Sequence, residues 1–195
     1  MAQNGDVADE SHTTCESSDF AEQLLHAHNV YRRQHNAPDL TLNEELCEQA
    51  QRWTEKLAAR HHMAYCELAG VGENITFFPA NMSPSAIVEY WYNENRKYEY
   101  ETPGWQPGTN YFTQIVWRAT KEIGVGRKVV SSAEYENTLK PATKPPSAEH
   151  QTNGGLRPRP DEPKQIVVAF YRPAGNNNRA GQFAMNVLKP VGSNQ

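Results

Sequence analysis

The chain has 195 residues, of which 37% are apolar, and a formal net charge of −4 from 19 Lys and Arg against 23 Asp and Glu. This length suits a single domain, and the mild acidity offers no basic face, so we expect no nucleic-acid partner. The sequence contains no apolar run of about 18 residues and therefore predicts no transmembrane helix. The basic pair Arg32-Arg33 lies among carboxylates and is interpreted as a solvated helix face.

Cysteine usage and the first residues bear on the cellular compartment. Cys15, Cys47 and Cys66 form an odd, sparse set, which suits a reducing environment better than a disulfide scaffold. The chain from Met1 shows no basic segment followed by an apolar run, and Ala2 argues against N-myristoylation. We expect an intracellular protein, cytoplasmic or membrane-associated; non-classical export and a removed signal peptide stay open as alternatives.

The amino-terminal part of the chain predicts a disordered segment followed by a helix. Residues 1–18 are polar and carry few core-forming side chains, so we expect disorder there. Asp19 with Glu22 three residues later is typical of a helix cap. The first helix is predicted to begin at Asp19 and to end before Pro38.

Two further helices are predicted before the middle of the chain. One covers residues 43–60 and the other covers residues 83–96, where Ser83 is the expected cap and Pro84 takes the first helical position. The apolar stripe of the second helix is regular and consists of Leu46, Ala50, Trp53 and Leu57.

The second half of the chain predicts strands. Residues 112–117, 123–130 and 165–171 are rich in β-forming residues. Helices followed by neighbouring strands favour an α+β domain with an antiparallel sheet, here covering residues 19–190 and followed by a short tail at residues 191–195. Residues 131–164 are rich in proline and are interpreted as a disordered insertion within a hairpin connection.

Five segments of the chain together form a recognisable pattern. They are His28-Asn29-x-Tyr31-Arg32-x-x-His35, Gly72-Glu73-Asn74, Trp91-Tyr92-Asn93-Glu94, residues 112–117 with Thr120, and residues 168–176 ending in Pro-Ala-Gly-Asn. Together these segments resemble the CAP superfamily of cysteine-rich secretory, antigen 5 and pathogenesis-related 1 proteins. The resemblance covers residues 20–189 apart from the insertion, and is nearest to the Golgi-associated plant-pathogenesis-related and helminth venom-allergen-like types. It implies an α/β/α sandwich, with a central antiparallel sheet between helical layers and a large open cleft.

The resemblance also implies a set of metal-binding positions in the cleft. The family carries two His and two Glu there, and these match His62 (with His61 as a shifted alternative), Glu73 and Glu94. Tyr111 stands where the family has its second His. Because a phenol must lose a proton of pKa about 10 to bind a metal well, we expect a degenerate site. Zinc or magnesium would bind weakly, and no cofactor is required.

Two lipid-binding features are implied by the same resemblance. Tyr98, Tyr100 and Trp105 match the aromatic spacing called a caveolin-binding motif in this family, which implies sterol binding beneath a loop. The alternative is that these aromatic residues pin the loop to the domain. A fatty-acid cavity is implied between the first and third helices, although the apolar residues there are better explained as core: Leu24, Tyr31, Val88 and Trp91.

The leading hypothesis is a non-enzymatic CAP protein that binds sterol or fatty acid, acting at a membrane surface or in host or immune modulation. The sequence carries no nucleophile elbow, phosphate-binding loop or paired-cysteine motif. A metal-dependent hydrolase that uses His62, Glu73 and Glu94 stays open. So does an interaction scaffold that works as a homodimer or through the insertion. Fold-supporting roles are expected for the remaining signature residues Gln114, Trp117, Tyr171 and Asn176.

Overall fold

The structure is a computed structural model that describes residues 10–59, 64–66, 68–131 and 162–192, with the side chains of the first helix described from Asp19 onward. The helices are α1 (Glu10–Gln34), α2 (Glu44–Ala59), α3 (Pro84–Tyr92), α4 (Asn110–Val116) and α5 (Gln182–Asn186), and a 3₁₀ turn at Asn93–Lys97 follows α3. The strands are β1 (Thr41–Leu42), β2 (Gly72–Pro79), β3 (Glu122–Val130) and β4 (Lys164–Arg172).

A four-stranded sheet forms the middle layer. Its order is β1-β3-β4-β2; β1 pairs with β3 in parallel, and the other pairs are antiparallel. One face of the sheet carries α1, α3 and α4, and the other carries α2, each with its own apolar cluster. The predicted α/β/α sandwich is confirmed.

Helix α2 follows the sequence prediction closely. Asn43 caps it, since the Asn43 side-chain oxygen accepts a hydrogen bond from the Leu46 amide at 3.0 Å. The predicted apolar stripe is buried along its whole length. The helix lies directly on the glycines of β3: a Cβ at Gly124 would come within 2.2 Å of the Leu46 backbone, and one at Gly126 within 2.4 Å of Ala50. The glycine pattern of β3 therefore allows the helix to approach the sheet closely.

Helix α1 begins at Glu10, nine residues before the predicted start, so the predicted cap is wrong. Asp19 lies inside the helix, where its carboxylate accepts a hydrogen bond from Gln23 at 2.7 Å. The sequence of residues 10–18 has neither Gly nor Pro, so nothing there interrupts the helix. Residues 1–9 lie outside the described residues, and their predicted disorder stays a prediction.

Arg32 is buried, so the interpretation of the Arg32-Arg33 pair as a solvated face is wrong for this residue. Burial lowers the pKa of Arg32 to about 10, and the group remains a cation at neutral pH. Arg33 is exposed and pairs with Asp39, as a solvated residue does. The Arg32 guanidinium donates hydrogen bonds of 2.7 to 2.9 Å to the backbone oxygens of Pro38, Ile115, Trp117 and Thr120.

Residues 110–116 form helix α4, so the predicted strand at residues 112–117 is wrong. Every residue of this helix from Phe112 to Val116 is buried. A segment that is covered on all sides shows no hydrophobic period from which a helix and a strand can be told apart. The surroundings of α4 decide its conformation, since its two ends are held by side chains from elsewhere in the fold.

The other strand predictions are confirmed, and the long connection between β3 and β4 joins neighbouring antiparallel strands. Val130 pairs with Lys164 at the end of the strand pair where the connection leaves, and Glu122 pairs with Arg172 at the other end. The predicted insertion is therefore an extended hairpin connection. Residues 132–161 lie outside the described residues, and their disorder stays a prediction.

Candidate functional site

Glu94 lies on the 3₁₀ turn after α3, where its carboxylate caps helix α4. One oxygen, Oε2, accepts hydrogen bonds from the amides of Tyr111 at 2.8 Å and Phe112 at 3.2 Å. A carboxylate at this position also interacts favourably with the positive end of the helix dipole. Burial raises the pKa of Glu94 to about 6 despite these hydrogen bonds. The residue implied as a metal ligand therefore has a structural task in the fold.

Tyr111, which the resemblance implies at the position of a second metal-binding histidine, acts as a hydrogen-bond donor. Its hydroxyl donates to the backbone oxygen of Ile75 at 3.0 Å, and its ring lies 6.0 Å from that of Trp91. Burial raises the pKa of Tyr111 above its ordinary value, so the phenol keeps its proton at neutral pH. A protonated phenol that already donates its proton is a poor metal ligand.

Glu73 lies near the start of β2, on the edge of the sheet. Its Oε2 accepts a hydrogen bond from the Cys66 amide at 3.0 Å and so holds the short segment 64–66 against the strand. Because side chains alternate along a strand, Glu73 shares a face with Ile75, which packs in the α2 cluster. Asn74 points to the opposite face, where it donates to the backbone oxygen of Tyr111 at 3.2 Å.

The metal-binding set implied by the resemblance is therefore only partly placed. His61 and His62 lie outside the described residues. Among the described residues, no three His, Cys, Asp or Glu side chains converge to hold a metal. Glu73 and Glu94 accept hydrogen bonds from backbone amides of different segments, and the residues described here do not fit a complete site of the family's type.

A buried polar chain connects α1, β4 and β2. The Tyr171 hydroxyl lies 2.8 Å from His28 Nε2 and 3.1 Å from the side-chain nitrogen Nδ2 of Asn74. His28 Nδ1 lies 2.8 Å from the Leu24 oxygen, and since a carbonyl only accepts, Nδ1 carries the proton. His28 Nε2 then accepts from the Tyr171 hydroxyl. Burial lowers the pKa of His28 to about 4, so the imidazole is neutral at physiological pH.

The signature residues have the fold-supporting roles predicted for them. The buried Gln114 side chain accepts from the Gly175 amide at 2.9 Å. Asn176 has a positive φ of 56°, and its side chain accepts from Thr113 Oγ1 at 2.6 Å, which ties this turn to α4. Trp117 is buried in the core on the α1 face of the sheet.

The aromatic loop after the 3₁₀ turn divides into pinned and exposed residues. Tyr98 is 5% exposed, Tyr100 packs against the same core, and their rings lie 5.1 Å apart. Trp105 is 54% exposed and is tied by its indole N–H to the Asn110 side chain at 2.9 Å. Two of the three residues in the motif thus attach the loop to the domain, and only Trp105 presents its ring to solvent.

An open groove of about 580 Å³ runs between α1 and α3. Sequence reasoning placed a lipid cavity between these helices but named mainly core residues, since Leu24, Val88 and Trp91 are fully buried. Tyr31 does line the groove, and its ring stacks on Tyr92 at 3.8 Å. In the folded chain, Val30 is 40% exposed at the groove. The sequence alone did not identify the other residues that line it: Glu22, Gln23, His26, Ala27, Val30, Gln34, Ser85 and Glu89.

The three-layer sandwich is the architecture of a CAP-type domain. A family model described as the cysteine-rich secretory protein family matches residues 25–140, and the chain belongs to this family. Proteins of this family are generally not enzymes.

Individual relatives agree with this assignment. The chain is 30% identical over 177 residues to human Golgi-associated plant pathogenesis-related protein 1, covering 89% of this chain and 96% of that protein. It is 32% identical over 181 residues to secreted protein RBT4 of Candida albicans, covering 88% of this chain but only 41% of that protein. The structure of NaASP2 with Zn²⁺ shares the fold, with a TM-score of 0.51, 16% identity and coverage of 96% and 88% of the two chains.

These relatives include one Golgi-associated and one secreted protein by name. Within the part of the chain that the structure describes, no helix has both the length and the apolar character needed to cross a membrane.

Proposed function

We propose that this protein is a non-enzymatic member of its family that binds a single-chain lipid in the groove between α1 and α3. The groove itself carries the proposal: its volume of about 580 Å³ lies within the usual range for small-molecule sites. Ala27, Val30 and Tyr31 supply apolar surface along α1. Each buried methylene of an aliphatic chain would contribute about 0.8 kcal/mol.

The buried histidines support a function without catalysis. His35 lies 2.6 Å from the Leu188 oxygen and 2.9 Å from the Tyr92 hydroxyl, and His28 has an equivalent pair of partners. An imidazole that activates a nucleophile lies within reach of a serine, threonine or cysteine. The hydrogen bonds of both imidazoles go instead to a carbonyl and a tyrosine.

The groove proposal is tested by filling the groove. We expect Val30→Trp to reduce the amount of lipid that co-purifies with the protein, measured by mass spectrometry of the native complex. Val129→Trp is the matched control, because Val129 is similarly exposed (49% against 40%) but lies on β3. Equal lipid loading of the two variants would contradict binding in the groove.

A sterol site at the aromatic loop is a second candidate, favoured by the 54% exposure of Trp105. Exposed aromatic faces can cover a flat apolar ring system. Labelled cholesterol should bind Trp105→Ala more weakly than wild type, whereas Met185→Ala, which removes a 55% exposed side chain from α5, should bind normally. Tyr98 and Tyr100 stay unchanged in this test because they pack in the core. Unaltered binding by Trp105→Ala would remove the loop from consideration.

We further propose that no metal is required. The support is Tyr111, whose hydroxyl donates to the Ile75 oxygen. If the cleft retains a weak site, Tyr111→His should raise zinc affinity in calorimetry, and Tyr111→Phe should not. An unchanged affinity in Tyr111→His would indicate that the cleft is not a metal site and would also remove the support for a metal-dependent hydrolase.

A reducing, intracellular compartment is proposed from the described thiols. Cys47 and Cys66 are both free, and burial raises the pKa of each thiol. Alkylation of the native protein in cell lysate, read by mass spectrometry, should find both thiols unpaired; a disulfide at either would contradict the proposal. A membrane surface and a homodimer stay predictions, which vesicle co-sedimentation and analytical ultracentrifugation would test.

A further inference from the structure

The groove between α1 and α3 has a rim of one charge sign. Glu22 of α1 and Glu89 of α3 line it, and both are exposed. Neither forms an ion pair within the described part of the chain. The lining contains no Lys or Arg, and its remaining polar members are Gln23, His26, Gln34 and Ser85.

An aromatic surface lies beside this rim. Tyr31 and Tyr92 stack with an interplanar angle of 17°, which covers one face of Tyr31 and leaves the ring at the groove. Burial raises the pKa of the Tyr31 phenol, and the negative charge of the Glu89 carboxylate raises it further. Carboxylates next to an aromatic face are the surroundings that favour an organic cation.

We infer that the groove selects an amphiphile with a cationic head, an alkylammonium, over a fatty-acid anion. The inference rests on the proposed function, because the aliphatic chain must occupy the groove for its head to meet the rim. A carboxylate head would lie near Glu22 and Glu89 and be repelled, whereas an ammonium head would be attracted by both. Solvent screens each of these exposed interactions, so the selection is one of degree.

Three probes with the same chain isolate the contribution of the head. We expect decylammonium to bind about fivefold more tightly than decanol, and decanoate to bind more weakly than decanol. Affinities are measured by calorimetry at low salt, with each probe below its critical micelle concentration or solubility limit. Raising the salt should reduce the difference between decylammonium and decanol. Decanoate binding as tightly as decylammonium would overturn the inference.

Matched charge variants test the residues. Glu22→Gln with Glu89→Gln should abolish the preference for decylammonium over decanol. The control is Glu48→Gln with Glu55→Gln, which removes two exposed carboxylates from α2 on the other face of the sheet and should keep the preference. Loss of preference in both double variants would show an effect of net charge and overturn the inference.

The same experiment separates this inference from the proposed function. One outcome is that all three probes bind with equal affinity and that Val30→Trp blocks all of them. In that case the groove binds lipid, but the inferred selection by head charge fails. If no probe binds, or if Val30→Trp leaves binding unchanged, the proposed function itself fails.

Discussion

The two faces of the sheet hold their helices by different means. On one face, α2 contributes a regular apolar stripe and lies directly over Gly124 and Gly126. The other face has the larger apolar cluster, but buried polar groups that include Arg32 and His28 also run through its layer of α1, α3 and α4. Apolar contact tolerates small changes in position, whereas buried donors and acceptors must meet at fixed places. The polar face is also the one that carries the groove and the aromatic loop.

The largest effect is expected on the polar face, from Arg32→Met. Methionine leaves four backbone oxygens without their donor, and we expect the free energy of unfolding to fall by about 4 kcal/mol. Arg33→Met is the adjacent control, since Arg33 is exposed, and should change stability far less than Arg32→Met does. Equilibrium urea unfolding measures both. Similar losses in the two variants would contradict the role of Arg32.

On the apolar face, Gly124→Ala tests the close approach of α2. The new Cβ would meet the Leu46 backbone, which cannot turn aside as a side chain can, and we expect a loss of about 3 kcal/mol. Gly104→Ala is the control, because nothing lies within 4 Å of a Cβ there. Equilibrium urea unfolding measures both variants. An unchanged free energy of unfolding in Gly124→Ala would show that α2 can move away from the sheet.

The polar face should also respond to acid through His28. Burial lowers its pKa from 6.5 to about 4, so below about pH 6.5 the unfolded chain takes up a proton that the folded protein does not. Stability is therefore lost as the pH falls through this window, by about 2 kcal/mol between about pH 7.5 and pH 5. Unfolding at a series of pH values should show this slope in wild type and less of it in His28→Gln. Parallel curves of stability against pH for wild type and His28→Gln would exclude His28 as the source of the slope.

The smallest effect is expected at the edge of the sheet, from Tyr111→Phe. Losing the hydrogen bond to the Ile75 oxygen should cost about 1 kcal/mol. Tyr90→Phe is the control, since Tyr90 is 40% exposed, and it should be close to neutral. Thermal unfolding resolves the difference. Two neutral variants would mean that the Tyr111 hydroxyl does not support β2.

The sequence predicts the apolar face better than the polar one. Helix α2 and strands β3 and β4 follow from periodicity and β-propensity, because each presents a repeated pattern to a neighbouring layer. Helix α4 could not be predicted in this way, since its residues are covered on every side. Arg32 was misread from its charged neighbours, although its spacing of four residues from His28 and eight from Leu24 places it on the buried stripe of α1.

The site was predictable only in outline. The resemblance identified Glu73, Glu94 and Tyr111, but their hydrogen-bond partners lie 7 to 36 residues away in segments that no local pattern connects. The groove shows the same limit: its rim combines Glu22 from α1 with Glu89 from α3, and only the packing of the two helices brings them to one surface.

Helix α4 has a consequence for the order of assembly. It is seven residues long, too short to persist alone, and its own composition favours an extended chain. Glu94 satisfies its first amides and Arg32 satisfies carbonyls at its last turn, so both ends depend on segments remote in sequence. We therefore expect α4 to become helical only after α1 and the end of α3 have docked, which makes it a late step in folding.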